Sequence, residues 1–450
     1  MVIRLRSMGL LLSAALILVS QHLLAQSFTG ALQATFTAPE LASTLTTYEV
    51  YRIDANQVDQ YARKLPNGGT YTFQLGSRQW ALALEPSGVV AANYALQTGA
   101  DKSAVDASTM PPTTWQGFEK TGYGKVRLTF AEEFIYGYVE QGGERWYIQP
   151  VWHMVPGADR DLFVVYPESG VVDTYGGSCA VLEEQKVHEE YLKDVIQEQL
   201  EAAEAKSLAC YEVALALASD NSMLTKYGSI GSLQARNAGV INDVEGDYAS
   251  GNFNHDVQFN IVIQFVPAGN DPWSNSTDPG VLLNSFTVWG NNGGFGVQYD
   301  LAQLWTNRNL DGSVIGIAWL NGICNSNRYS VCQDFSNNAD LIRVLTSHEF
   351  GHNFSLVHDN NCPPPNYIMC PSVSNTMQWS TQSINTMNSK LTSLINNGCI
   401  SPCGANPPLE ANFEWNPDPA CQGESIQFTD LSVGNITSRA WTFPSGNPAT

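Results

Sequence analysis

Three of the seven histidines fall in one eleven-residue window, His348-Glu349-Phe350-Gly351-His352-Asn353-Phe354-Ser355-Leu356-Val357-His358, and Asp359 follows it. On an α-helix, positions 348 and 352 stand one turn apart and are rotated by only ~40°, so both imidazoles face the same cleft. Two imidazoles at that spacing are what a zinc ion needs from a helix. Glu349, offset by about 100°, can reach a metal-bound water without ligating the metal. His358 lies six residues beyond His352, too far along a straight helix to join them. The chain must turn back after Phe354 for this ring to complete a set of three. The window therefore demands a helix, a sharp end and a reversal. Asn338 supplies an N-cap for a helix from Ala339 to about Phe354, with Leu341, Val344 and Leu345 as its core-facing stripe.

The third ligand is constrained by what is missing. From Asn360 to Leu409 there is no Asp or Glu, and apart from Asp359 the next carboxylate is Glu410. His348, His352 and His358 are thus the metal set, with Glu349 as general base.

Composition bounds the rest. Lys plus Arg is 22 and Asp plus Glu is 43, a net charge of −21, which repels phosphate backbones and argues against nucleic acid as a partner. The 450 residues suggest about three domains. Residues 1–25 read as a secretory signal: Arg4 and Arg6, an apolar run from Met8 to Val19, then Ala25 before the expected cut. The mature protein is expected to be secreted, with no membrane segment after signal removal. Export makes most of the nine cysteines candidates for disulfides. Cys324 and Cys332 flank a short polar loop and are expected to bridge each other. Cys362, Cys370, Cys399 and Cys403 should form two further bridges, their connectivity open. An odd count leaves at least one thiol over.

Along the chain, residues 26–181 carry alternating runs separated by Gly and Pro turns, as in an antiparallel β-rich domain. Its histidine, His153, beside Trp152 and Met154, reads as packing or surface. Residues 182–207 are rich in Glu and Asp without Gly or Pro, an acidic helical connector open to proteolysis. Residues 208–404 become mixed α and β. Strands are expected at Tyr211–Ala218, Phe259–Val266 and Ser313–Leu320, and helices at Ser232–Tyr248 and Asp278–Val288. A last helix is capped by Ser380 and ended by Gly398. Residues 409–450 offer short strands, too few for a complete β-sandwich.

Over about 208–401 the sequence resembles the metzincin zinc metallopeptidases, in their adamalysin/reprolysin (ADAM-like) branch, whose pattern is H-E-x-x-H-x-x-G-x-x-H-D with a downstream Met-turn. Tyr367-Ile368-Met369-Cys370-Pro371 matches that turn, so the resemblance implies Met369 as the floor beneath the zinc. It implies an α/β (α+β) catalytic domain with a mixed sheet and an active-site helix, one catalytic Zn2+, and protein or peptide substrates. The Asp311–Ala318 stretch would contain the edge strand that pairs with extended substrate. In such families a prodomain thiolate often holds the zinc before an activating protease acts. Gly176-Gly177-Ser178-Cys179-Ala180 looks like such a switch, the alternative being a Cys179–Cys210 bridge. Two positions depart from the pattern: Ser355 replaces the Gly at the helix-ending turn, and Pro371 stands where some metzincins carry a fifth ligand, Tyr. Residues 409–450, with Phe428-Thr429-Asp430 and Trp441-Thr442-Phe443, resemble the first half of a PKD-type (Ig-like) sandwich. The expectation is a secreted zymogen of a zinc endopeptidase; the alternative is a secreted adhesion protein using an inactive metzincin scaffold. Many Asp and Asn residues admit Ca2+, but no EF-hand loop is present and no calcium site is assigned.

Overall fold

The computed structural model describes residues 26–98, 110–172, 177–180, 209–249, 251, 253–363, 366–404, 413–416 and 427–430. The signal, the acidic connector and most of the C-terminal segment lie outside the described residues, as does Cys421. No helix among the described residues is long and apolar enough to cross a membrane.

The N-terminal half is built on β1 (Gln26–Leu32), β2 (Glu49–Arg52), β3 (Gly69–Leu75), β4 (Arg78–Pro86), β5 (Val90–Thr98), β6 (Thr113–Glu119), β7 (Lys125–Ala131), β8 (Phe134–Gln141), β9 (Glu144–Pro150) and β10 (Leu162–Pro167), with short helices α1 (Pro39–Thr44) and α2 (Ala55–Ala62). Nine of these strands close a barrel in the order β1-β2-β10-β9-β8-β7-β6-β4-β3. Alternation drives it: along β3, Tyr71, Phe73 and Leu75 point inward among Phe28, Trp80, Trp115 and Phe130, and Thr72 and Gln74 stay outside. Two features depart from a plain antiparallel domain. β1 and β3 close the barrel in parallel, and β5 leaves the barrel altogether.

The second half contains β11 (Ser178–Ala180), β12 (Cys210–Ser219), α3 (Asn221–Tyr227), α4 (Ile230–Tyr248), β13 (Asp256–Val266), α5 (Pro279–Asn291), β14 (Leu301–Thr306), β15 (Val314–Ala318), β16 (Tyr329–Gln333), α6 (Ala339–Asn353), α7 (Thr381–Asn396) and β17 (Ser401–Pro402). Its sheet runs β11-β15-β16-β14-β12-β13-β5, parallel except for the β15–β16 pair, with β17 added against β12. Helices α4 and α6 cover one face, and α5 packs over β15 and β16 on the other. The strands and helices expected from periodicity in this half are present. Strands that precede the acidic connector in the chain close both edges of this sheet: β5 pairs in parallel with β13, and β11 with β15. β18 (Phe413–Asn416) and β19 (Gln427–Asp430) form one antiparallel ladder; the expected sandwich otherwise lies outside the described residues.

The disulfides correct three expectations, one being that Cys362, Cys370, Cys399 and Cys403 form two bridges among themselves: Cys399 and Cys403 pair outside that set. Cys324 bridges Cys399, Cys210 bridges Cys403, and Cys362 bridges Cys370. The expected Cys324–Cys332 bridge is absent because Cys332 sits inside strand β16, fully buried and facing the core, whereas Cys324 occupies a left-handed turn (φ 62°) against the end of α7. The Cys179–Cys210 alternative falls because Cys210 is taken by Cys403. Cys179 and Cys332 are both free and buried.

Candidate active site

Helix α6 starts as the sequence requires, the Asn338 side chain accepting from the backbone N–H of Asp340 and Leu341 (2.9 and 3.3 Å). It ends at Asn353, and Ser355 adopts φ 75°, the left-handed conformation its glycine-replacing position demanded. The cost of order 1 kcal/mol is offset locally. Leu356 N–H bonds back to the Gly351 carbonyl (2.9 Å), and the Ser355 hydroxyl donates to Asn321 Oδ1 (2.7 Å). This reversal brings His358 back over the helix.

The three imidazoles converge. Ring centroids are 4.6 Å apart for His348 and His352, 5.2 Å for His348 and His358, and 4.8 Å for His352 and His358. One ring nitrogen from each lies within 4.8 Å of the others. His348 Nδ1 donates to the Ile368 carbonyl and His352 Nδ1 to the Leu356 carbonyl, both at 2.7 Å. Those bonds fix the tautomer, leaving Nε2 as the lone-pair nitrogen directed inward. Burial, together with the other two rings, pushes the His348 pKa well below its ordinary value, so it stands neutral and able to donate. His348 Nε2 is buried without a hydrogen-bond partner. The donor set, three converging imidazoles of which His348 and His352 have their inward nitrogen fixed by a carbonyl bond, fits zinc.

The loop that meets His348 through the Ile368 carbonyl carries the Cys362–Cys370 disulfide. Met369 in it is fully buried, its sulfur 2.5 Å from where a Cβ on Gly351 would stand. Asp359 ties the loop to α7: its N–H bonds the Met369 carbonyl (2.9 Å), and its carboxylate accepts from the Ser380 and Ser383 hydroxyls.

Glu349 is fully buried, and desolvation pushes its carboxyl up to about 8. Its surroundings were not legible in the sequence. Cys179 on β11, Gly316 on β15 and Cys332 on β16 are register partners in one row across three strands. The missing side chain of Gly316 leaves the gap that the Glu349 carboxylate fills. A ligand atom each of Cys179, His348 and Glu349 lies within 4.8 Å of the other two. Burial, then the nearby carboxylate, raises both thiols, so Cys179 is a neutral thiol in this environment. Edge strand β15 is held by the chain itself: Ser178, Cys179 and Ala180 pair with Val314, Gly316 and Ile317.

The charges behind the helix were also unforeseen. Arg343, wholly buried, is clamped by Asp247 (2.6 Å to both oxygens), by Asp340 (2.6 Å) and by the Thr376 carbonyl (2.7 Å). Ser347 donates to Asp247 at 2.7 Å. This lattice sets the rotation of α6, and hence the direction of His348 and Glu349.

A family model described as metallo-peptidase family M12 (Reprolysin_5) matches residues 210–388. The chain is 32% identical over 168 residues to snake venom metalloproteinase TM-1 of Protobothrops mucrosquamatus, covering 36% of this chain and 81% of that protein. It is 23% identical over 319 residues to a zinc metalloproteinase-disintegrin-like protein of Cerberus rynchops, and 24% identical over 307 residues to the zinc metalloproteinase-disintegrin-like atrase-A of Naja atra. Those two matches cover 68% and 65% of this chain, and it spans only about half the length of either protein, 50% and 48%.

Proposed function

The chain belongs to metallo-peptidase family M12, in its adamalysin/reprolysin branch, and as a zinc metalloendopeptidase acts on protein or peptide substrates; from that premise we propose that it is an exported zymogen whose own strand β11 blocks the active site until displaced. His348, His352 and His358 are the residues that would hold the metal, and Glu349 is the general base. Zinc, when bound there, supplies a Lewis acid for the scissile carbonyl and acidifies an attacking water. Glu349 takes that water's proton at its carboxylate and delivers one to the leaving amine. The Ile368 carbonyl keeps the first imidazole oriented during turnover.

One observation carries the zymogen reading: the Cys179 sulfur lies within 4.8 Å of ligand atoms of His348 and Glu349, from a strand paired on the edge where extended substrate should lie. With β11 in place, both the edge hydrogen bonds of β15 and the space beside Glu349 are taken. The N-terminal secretory pattern and the venom proteins it resembles support export. The test is casein or gelatin hydrolysis by the full chain before and after limited proteolysis. Activity should emerge on proteolysis, vanish with a zinc chelator and return with added zinc. A zinc-loaded, proteolysed sample that cleaves neither protein refutes the assignment.

A further inference from the structure

Helix α4 belongs to the catalytic half, yet from Leu233 to Tyr248 every residue is buried, including Asn237, Asn242, Asp243, Glu245 and Asp247. A helix on the surface of an independent domain keeps one face in water. Here the outer face is covered by the barrel. Gly239 and Gly246, two turns apart on one side, admit ring atoms from β8. A Cβ at Gly239 would stand 2.7 Å from Tyr136, and one at Gly246 would stand 2.2 Å from the Tyr138 hydroxyl. Each glycine inside a helix costs about 1 kcal/mol relative to alanine, so this pair is explained by the close approach it permits.

The apolar packing is continuous. The barrel interior has its own cluster, but the outward-facing Tyr136, Tyr138, Tyr147, Val164 and Tyr166 share a single core with Leu233, Val240, Leu341 and Val344 of the catalytic half. Strands β8 and β10 are accordingly buried on both faces. Polar groups are matched across the same surface. Asn242 donates to the Leu128 and Trp115 carbonyls (3.0 and 3.2 Å), and Arg127 pairs with Glu245 (2.6 Å). Tyr147 donates to Asp340 (2.7 Å), and Gln149 Oε1 accepts from the Ala339 N–H at the start of the active-site helix (3.0 Å). Beyond it, β5 extends the sheet, and Gln258 donates to the Ser87 carbonyl (2.7 Å). By contrast, β11 is three residues long, held by its pairs with β15 and by a short bridge to Pro371 and Ser372.

We propose that the barrel is a resident subunit of the enzyme: after a cut anywhere in the 182–207 connector it stays bound to the catalytic half as a non-covalent partner. Interfaces that share one hydrophobic core with matched buried charges are of the obligate kind, whereas a three-residue strand is easily displaced. Release of inhibition then means displacement of β11, and shedding of the barrel is not required. That last step rests on the zymogen reading above, but barrel retention does not.

The experiment places a site-specific protease sequence within residues 182–207 of the full chain and cleaves it to completion. On size exclusion at micromolar protein the two fragments should co-elute in one peak, and dilution should give a dissociation constant below ~10 nM. A second measurement, urea unfolding of the cut protein, should show both fragments unfolding in one transition whose midpoint rises with protein concentration. Fragments that separate at micromolar concentration, or unfold independently at concentration-invariant midpoints, overturn the proposal. Neither readout depends on peptidase activity, so an inactive protein does not confuse the two results.

Discussion

Replacing Gly316 by alanine puts one methyl group between strand β15 and the carboxylate of Glu349, the proposed general base. The new Cβ would lie 2.3 Å from Glu349 Oε1, 2.8 Å from its carboxyl carbon and 2.8 Å from Leu345 Cδ1. Ordinary contact begins near 3.4 Å, so the carboxylate must retreat by about 1 Å. Misplacing a catalytic group by that amount costs on the order of 100-fold in rate, and overpacking a dense core costs about 1–3 kcal/mol in stability. Gly316→Ala should therefore lower kcat about 100-fold on a quenched peptide, with KM little changed and zinc content intact, because the nearest neighbours of the new methyl are Glu349 and Leu345. Thermal unfolding supplies a control. Most of the destabilisation should disappear in a Glu349→Ala background, where the displaced carboxylate no longer exists. A Gly316→Ala enzyme with wild-type kcat, or an equal loss of stability with and without the Glu349 carboxylate, refutes the reasoning.

Three further outcomes are expected. Burial, and then the Arg236 charge, hold the His153 pKa well below its usual value; Lys226 and Arg160 act in the same direction, and Asp334 opposes them. The unfolded chain therefore binds a proton below pH ~6.5 that the folded state refuses. Stability is full above that pH and falls by about 1.4 kcal/mol per unit below it. His153→Phe should flatten this slope in urea midpoints measured between pH 7.5 and 5.5, and an unchanged slope would remove His153 from the account. Cys179→Ala should raise the peptidase activity of the uncut chain without changing that of the proteolysed enzyme, measured on the same peptide; an unchanged uncut activity would deny the thiol an inhibitory part. Cys324→Ser, opening a bridge that spans 75 residues, should cost about 2–5 kcal/mol by denaturant titration. The same loss from Cys332→Ser would be unexpected, since Cys332 carries no bridge.

How much of this was legible depended on how local the physics was. The His348–His352 spacing, the Asn338 cap and the required reversal at Ser355 are set by residues within a few turns of one another, and each was readable. Strand β3 was readable because its alternation is the barrel's inside and outside. Strand β5 joins a parallel sheet partner about 170 residues further on, and nothing in its own pattern says so. The cysteines behave alike: the short loop between Cys324 and Cys332 suggested a bridge, but Cys324 pairs with Cys399, 75 residues away, and Cys210 with Cys403, 193 residues away. The buried carboxylates of α4 gave no signal in the sequence, since their partners Arg127 and Arg343 come from remote elements. Gly316 gave no signal, because a glycine's importance lies in what occupies the space it leaves.

The central claim is a division of labour: three imidazoles hold the metal, and Glu349 handles the proton. It is tested most directly by measuring zinc content and peptide turnover on one sample of proteolysed Glu349→Ala protein beside the wild type. The account predicts one zinc per chain in both proteins and a turnover in the variant reduced at least 100-fold, as loss of a general base should give. Wild-type turnover by a zinc-loaded Glu349→Ala enzyme would contradict it.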